Sequence, residues 1–392
     1  MWTFLLRRLV ALPPLLLVIS FLTYLLLQAA PGDFYTSKEA DPKYSRDYVM
    51  NLRRSVGKVL EVPPEARRAE LPAFDLAGRR YAFGAEGELL LDGARTDPRT
   101  QQQWVKDFEW PSGSGTRWSL TEQGHLYRWV GKVHGYFLWL ANVLRGDLGE
   151  SWHYKESVAS VISDRMLNTM LLEIVALGLA WGLAIPLGVW SGVRPNSTVD
   201  HVCGAFAYMS LSVPTVFLAL LALMFAYTTK WFPVGDMRDN IHWGEFTAWQ
   251  KVRDVAWHLV LPALVVGLGS VAIYMRQMRG QMVETMSSDY VRTARAKGVS
   301  HNRVIFVHAL RNAINPLVTL FGFSLAALLS GSFLVEVVLN WPGLARVTVD
   351  AVFAKDEPLV MASVLMAAGV LVLGNLIADI LLAIVDPKIR LE

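Results

Sequence analysis

DYVRTARAKGVSHNRVIFVHALRNAINPL, residues 289–317, is the stretch on which the reading turns. It carries Arg292, Arg295, Lys297, Arg303 and Arg311, yet apolar runs of membrane length lie on both sides of it. Asp289 suits a helix N-terminus, where a negative charge meets the positive end of the helix dipole. TARAK is built from strong helix formers. Gly298 then predicts a stop, because glycine adopts the left-handed conformation that closes a helix without a side-chain clash. A second helix is expected from about Asn302 into the next apolar run. The small residues Ala294, Ala296 and Gly298 leave room for another surface to come close. Charge alone allows a plainer reading, a positive loop that only fixes topology. The length and the helix–glycine–helix order argue instead for a lever between a partner surface and the membrane.

The whole chain agrees with a membrane setting. It has 392 residues, 53% of them hydrophobic, and a mean hydropathy of +0.33, above the range of soluble domains. A net charge of +3 is too small for a nucleic-acid-binding domain, so no nucleic-acid partner is expected. The single cysteine, Cys203, leaves no intrachain disulfide and no multi-cysteine metal site. The histidines lack metal-binding spacing, so no metal centre is expected. A G-x-x-x-x-G-K-[ST] loop is also missing, so no nucleotide is expected on this chain. The 14 Trp and 12 Tyr suit anchoring at two water–lipid interfaces.

About 20 apolar residues cross the hydrocarbon core. Six runs qualify: 9–30, 168–193, 201–229, 257–275, 314–334 and 359–385. Arg7 and Arg8 before the first run also suit a signal peptide, but the run exceeds the roughly 7–15 apolar residues of one. Pro186, Pro214 and Pro262 fall within apolar runs, where they predict kinks. Lys and Arg near the span ends place both termini and residues 276–313 in the cytoplasm. The expectation is an all-α polytopic membrane protein of six transmembrane helices. Residues 1–30 hold the N-terminal region and first span, 31–167 an extracytoplasmic segment, and 168–392 the core.

Within 31–167, RRYAFGAEGELLLDG (79–93) and TRWSLTEQGHLYRWV (116–130) each read as strand, turn, strand. They predict a small β-containing insertion at about 70–130, preceded by a short helix near 65–70. GKVHGYFLWLANVL (131–144) is amphipathic and suits a helix on the membrane surface. The insertion reads either as a solvated decoration or as a docking surface for an external partner. A membrane-anchored enzyme or sensor acting through 31–167 is the competing function class. No paired carboxylates or nucleophile–histidine arrangement in that segment supports catalysis.

Carboxylates within spans are expected to face the protein interior. Glu173 and Asp379 are two such groups, either lining a pathway or making a helix–helix contact. Glu336 and the turn Trp341, Pro342, Gly343 are candidates for a pathway or gate on the outer side.

Residues 289–317 resemble the EAA loop of ABC-transporter permeases, in the form found in the dipeptide/oligopeptide/nickel family. Similarity extends over nearly the whole chain. Residues 1–33, ending in APGD, resemble that family's first helix. GDLGES (146–151) and VISDRMLNTMLLEIVALGLAWGLAIPLGVWSG (161–192) resemble its second. WPGLARVTVDAVFAKDEPLVMAS (341–363) resembles a later loop, and DPKIRLE (386–392) its tail. FPVG (232–235), with WQKVRDVAWHLVLPAL (249–264), is similar to the Yej-type branch associated with oligopeptides and microcin C. Residues 70–130 have no counterpart in the pattern.

The resemblance implies a type I ABC importer permease of the bacterial plasma (inner) membrane, with no enzymatic activity of its own. Asp289, Tyr290, Arg292, Thr293, Ala294, Arg295, Ala296, Lys297 and Gly298 would form a coupling helix seated in a groove of an ATPase. ATP and Mg would be held by that ATPase, present as two ABC subunits or one fused chain. The other implied partners are a second homologous permease subunit, an extracytoplasmic solute-binding protein, a peptide substrate and the lipid bilayer.

Overall fold

A computed structural model of the chain describes residues 2–29, 35, 43–71, 73–76, 79–91, 93–95, 106–109, 116–121, 123–317, 320 and 332–385. The first helix, α1 (Trp2–Ala29), contains Pro13 and Pro14. After it come α2 (Arg46–Ser55), β1 (Val59–Val62), α3 (Pro64–Glu70), β2 (Ala73–Leu76) and β3 (Arg79–Phe83). Strands β4 (Leu89–Leu91), β5 (Ala94–Arg95), β6 (Lys106–Glu109), β7 (Arg117–Leu120) and β8 (Leu126–Trp129) follow, then α4 (Lys132–Leu144). The long helical part begins with α5 (Val158–Val193), α6 (Thr198–Ser212), α7 (Thr215–Thr229) and α8 (Ala248–Met286). It continues through α9 (Asp289–Ala296) to α10 (Phe333–Val338), α11 (Leu344–Phe353) and α12 (Glu357–Val385).

The chain divides into two compact units. One comprises Ser20–Ala159 and Ala351–Ala362. Its strands form two antiparallel four-stranded sheets, β1-β8-β7-β6 and β2-β3-β4-β5. Both hairpins read from the sequence form, as β3–β4 and β7–β8. Strand β1, paired along its length with β8, was not among the expected strands. Alternation along the strands points Tyr81 and Phe83, then Trp118 and Leu120, into one core shared with Phe74, Leu89 and Leu126. Each such large side chain contributes about 1.5–3 kcal/mol on burial. Helix α4 buries Tyr136 and Trp139 and exposes Val133, Phe137 and Leu144. The segment Ala351–Ala362 is tied in by two carboxylates. Asp356 accepts from the Ser151 hydroxyl at 2.6 Å and the His153 backbone N–H at 3.0 Å. Glu357 pairs with Lys58 Nζ at 2.7 Å and accepts from Tyr35 at 3.1 Å.

The other unit comprises Met1–Ile19, Ser160–Asp350 and Ser363–Glu392. Helix α5 has 36 residues, about 54 Å at 1.5 Å per residue, and α8 has 39. Both outrun the spans of 168–193 and 257–275 read from hydropathy, since their polar ends continue the helix outside the apolar window. A capping box of Thr247 and Gln250 starts α8, satisfying two backbone N–H groups reciprocally. Pro186 and Pro262 lie inside helices as expected.

Pro214 does not. The run 201–229, expected as one kinked span, is two 15-residue helices bent by 101°. Proline has no N–H to give and pushes the preceding residue out of the helical region. Val213 is extended (φ −91°, ψ 121°) and Pro214 becomes the N-cap of α7. Among the described residues, four helices are long and apolar enough to span a membrane, or up to five if the bent pair counts as one. The expected span 314–334 lies mostly outside the described residues.

Helices α5 and α8 cross at two glycines one turn apart. A side chain on Gly188 would stand 2.6 Å from Met278 Cβ, and one on Gly192 would stand 2.6 Å from Met282 Cβ. Small residues at this spacing let helix backbones meet where lipid supplies no hydrophobic driving force.

Candidate coupling site

The stretch that decided the sequence reading is an exposed helix with one anchored face. Helix α9 carries Asp289 in its first turn and Arg295 in its last, the arrangement the helix dipole favours. Its buried residue, Val291, is 0% exposed and packs with Met278, Met282, Val304 and Ala313. Ala294 rests against the same cluster. Tyr290, Arg292, Thr293, Arg295, Ala296, Lys297 and Gly298 are exposed together with Asp289. The structure therefore gathers the sequence-predicted coupling residues on one short helix and its exit. The Asp289–Arg292 pair, at 3.7 Å and almost fully exposed, contributes little stability.

Gly298 has φ +75°, the left-handed closure expected of it. The backbone N–H groups of Lys297, Gly298 and Val299 return to Thr293, Arg295 and Ala294. The chain then re-enters helix at His301–Arg303, passes a π-helical turn at Val304–Ala309, and returns to α-helix at Leu310–Ala313. A helix from about Asn302 was expected, but not the π turn. Such turns occur often at functional sites. Asn312 donates to the Tyr290 hydroxyl at 2.9 Å, bracing the second helix against the first.

Close before α9 in the chain lies a clamp that sequence reading missed. Asp200, near the start of α6, is 6% exposed. Its carboxylate takes two bonds from the Arg279 guanidinium, at 2.5 and 2.7 Å. It also accepts from the Ser191 hydroxyl at 2.6 Å and the Asn196 backbone N–H at 2.9 Å. Four donors from α5, the following turn and α8 converge on one carboxyl. A forked Arg–carboxylate pair fixes orientation as well as distance. Arg279 lies ten residues before the start of α9, so the clamp fixes the helix that leads into it. The signal was obscure because Asp200 and Arg279 are 79 positions apart.

Residues 184–391 match the family described as the binding-protein-dependent transport system inner membrane component. The chain belongs to this family. The matched stretch takes in the glycine crossing, the clamp, the coupling segment and the C-terminal helices, and it leaves out both sheets. The permease is 40% identical over 257 residues to the oligopeptide transport system permease protein AppB of Bacillus subtilis (strain 168), covering 65% of this chain and 79% of that one. It is 34% identical to the dipeptide transport system permease protein DppB of Escherichia coli (strain K12), covering 67% and 81%. Identity is also 34% to the di/tripeptide transport system permease protein DppB of Pseudomonas aeruginosa (strain UCBPP-PA14), covering 65% and 80%.

The residues expected at a pathway or gate form a buried knot in the permease. Glu336 and Trp341 are both 0% exposed. Glu336 accepts from Thr169 at 2.8 Å, Ser332 at 3.2 Å and the Ala345 backbone N–H at 2.9 Å. Trp341 Nε1 donates to the Asn168 carbonyl at 3.1 Å, and Asn168 donates to the Pro342 carbonyl at 2.9 Å. Gly343 sits against the Glu336 carboxylate with no room for a side chain. The polar atoms of Glu336 and Trp341 are thus engaged in locking the turn to α5. Asp379 lies in α12, but its side chain falls outside the described residues.

Glu173 is different. It is 2% exposed, and among the described residues neither carboxyl oxygen has a hydrogen-bond partner of good geometry, Ser332 being close but poorly aligned. A buried polar group left in this state costs about 1–3 kcal/mol. Glu173→Leu should therefore raise the thermal unfolding midpoint of the detergent-solubilised permease. A lower midpoint would show that the carboxyl is satisfied in the assembled protein and is needed there.

Proposed function

We propose that this permease is one of two similar membrane subunits of an ATP-driven importer of oligopeptides or peptide-like solutes. The observation that carries the proposal is helix α9, anchored through Val291 and otherwise presented to a partner, ending at a glycine with a left-handed backbone. The relatives named above support the substrate class. The narrower Yej-type assignment rests on FPVG (232–235) and WQKVRDVAWHLVLPAL (249–264).

In this reading α9 seats in a groove on an ATPase subunit, which holds ATP and Mg. Closure of two ATPase modules pushes α9 and shifts the permease pair between inward-open and outward-open states. Such a shift needs a two-state element that the nucleotide biases. The pathway lies between this chain and a second, homologous subunit. An extracytoplasmic binding protein delivers the peptide, and both termini and α9 face the cytoplasm.

The test is recovery of the tagged chain from gently solubilised host membranes, with accompanying chains identified by mass spectrometry. An ATPase with a G-x-x-x-x-G-K-[ST] loop and a second permease are expected. Cysteines placed at Arg292 and in the ATPase groove should then cross-link. Repeated recovery without any ATPase would overturn the proposal.

A further inference from the structure

A groove of about 410 Å³ runs between the end of α5 and the helical run that follows α9. One wall is Pro186, Val189 and Trp190, and the other is Ile305, Phe306 and Leu310. Arg194, His301 and Asn302 also line it. Trp190 is 55% exposed and Phe306 60%, so both rings present large apolar surfaces. Among the described residues the lining includes no carboxylate.

We propose that this groove is a binding site for an anionic phospholipid, one acyl chain lying along the apolar walls and the headgroup phosphate on Arg194 and His301. Three features favour a lipid over a protein segment. The first wall belongs to a helix of membrane-spanning length and hydropathy, so hydrocarbon is the solvent that meets it. The apolar-to-polar change follows the direction of α5, from Pro186 to Arg194 just past its end, as a bilayer interface requires. Trp190 stands at that change, the depth at which tryptophan anchors. Basic pockets between membrane helices are suited to acidic headgroups, and Asn302 can donate to a phosphate oxygen. The inference needs only that the chain spans a bilayer. It stands or falls apart from the coupling role proposed above.

Occupancy would bear on the lever. The groove's second wall includes Ile305 and Phe306 of the π turn, so a bound lipid would brace the helical run that follows α9.

The test uses the permease purified from its host membrane with the chains that accompany it. It is reconstituted in vesicles of phosphatidylcholine alone or mixed with phosphatidylglycerol, re-extracted in mild detergent, and its retained lipid counted by native mass spectrometry. Retention of phosphatidylglycerol over phosphatidylcholine is expected. Arg194→Gln should weaken it about fivefold, the contribution of one basic residue near a charged lipid surface. Arg238→Gln, which removes a charge elsewhere, should leave it unchanged. A photoreactive side chain at position 306 should label phospholipid. Equal retention by Arg194→Gln and the parent would overturn the proposal, as would labelling of a second permease or another protein at position 306.

Discussion

Gly298→Trp should insert and fold like the parent yet leave ATP hydrolysis without transport. Nothing lies within 4 Å of the position a Cβ would take on Gly298, so the indole meets no clash within the chain. The backbone penalty arises from φ +75°, where a non-glycine residue costs about 1–2 kcal/mol. That is tolerable for a local turn on an exposed segment. The consequence falls on the partner surface, because the indole would stand at the exit of α9 beside Lys297. Substrate uptake should fall about tenfold or more, equal to at least ~1.4 kcal/mol of lost coupling, and ATPase activity should no longer respond to substrate. Gly298→Ala carries the same backbone strain without the bulk and should keep most uptake. Uptake at the parent level in Gly298→Trp would refute the coupling role of α9.

Asp200→Ala should be the most destabilising single change at the clamp. Removing one partner of a buried ion pair typically costs about 3–5 kcal/mol, because the other charge is left uncompensated. The Asp200 side chain is 7% exposed but that of Arg279 is 38%, so water relieves part of the penalty and about 2–3 kcal/mol is the better expectation. The unfolding midpoint of the solubilised permease measures it. Arg279→Lys should recover charge but not the fork, and so fall between parent and Asp200→Ala. Asp200→Ala combined with Arg279→Ala should cost less than the sum of the two. An unchanged midpoint in Asp200→Ala would show that the helices are held by packing alone.

Helix α9 was legible in the sequence because each of its signals is local. Asp289, the TARAK run and Gly298 lie within ten positions, and the structure turns them into one helix and one left-handed stop. The hairpins were legible for the same reason, since each closes over a short turn. Strand β1 was not, because its four residues pair with a strand more than sixty positions later. The bend at Pro214 was visible as a proline but not as a right-angle break, which depends on what α6 and α7 each pack against. Glu336 was a candidate for a pathway or gate, and its contacts within the chain were not legible. Its partners Thr169 and Ala345 lie on separate elements, and only the fold brings them to one carboxyl. The π turn was hidden in VIFVHA, whose apolar spacing an ordinary helix satisfies equally well.

That turn should make the permease tolerant to length change at one place, which the folded yield of a Val307 deletion would measure. In an α-helix, deleting a residue rotates everything beyond it by about 100° and draws it in by 1.5 Å. A wide turn already holds a surplus residue. Removing Val307, half exposed, lets Val304–Ala309 close to ordinary α geometry and keeps the faces on either side in phase. Removing Val291 from α9 has no such slack to draw on. Just after α9, the chain thus contains a slot where losing one codon should preserve the phase of the surrounding helix faces.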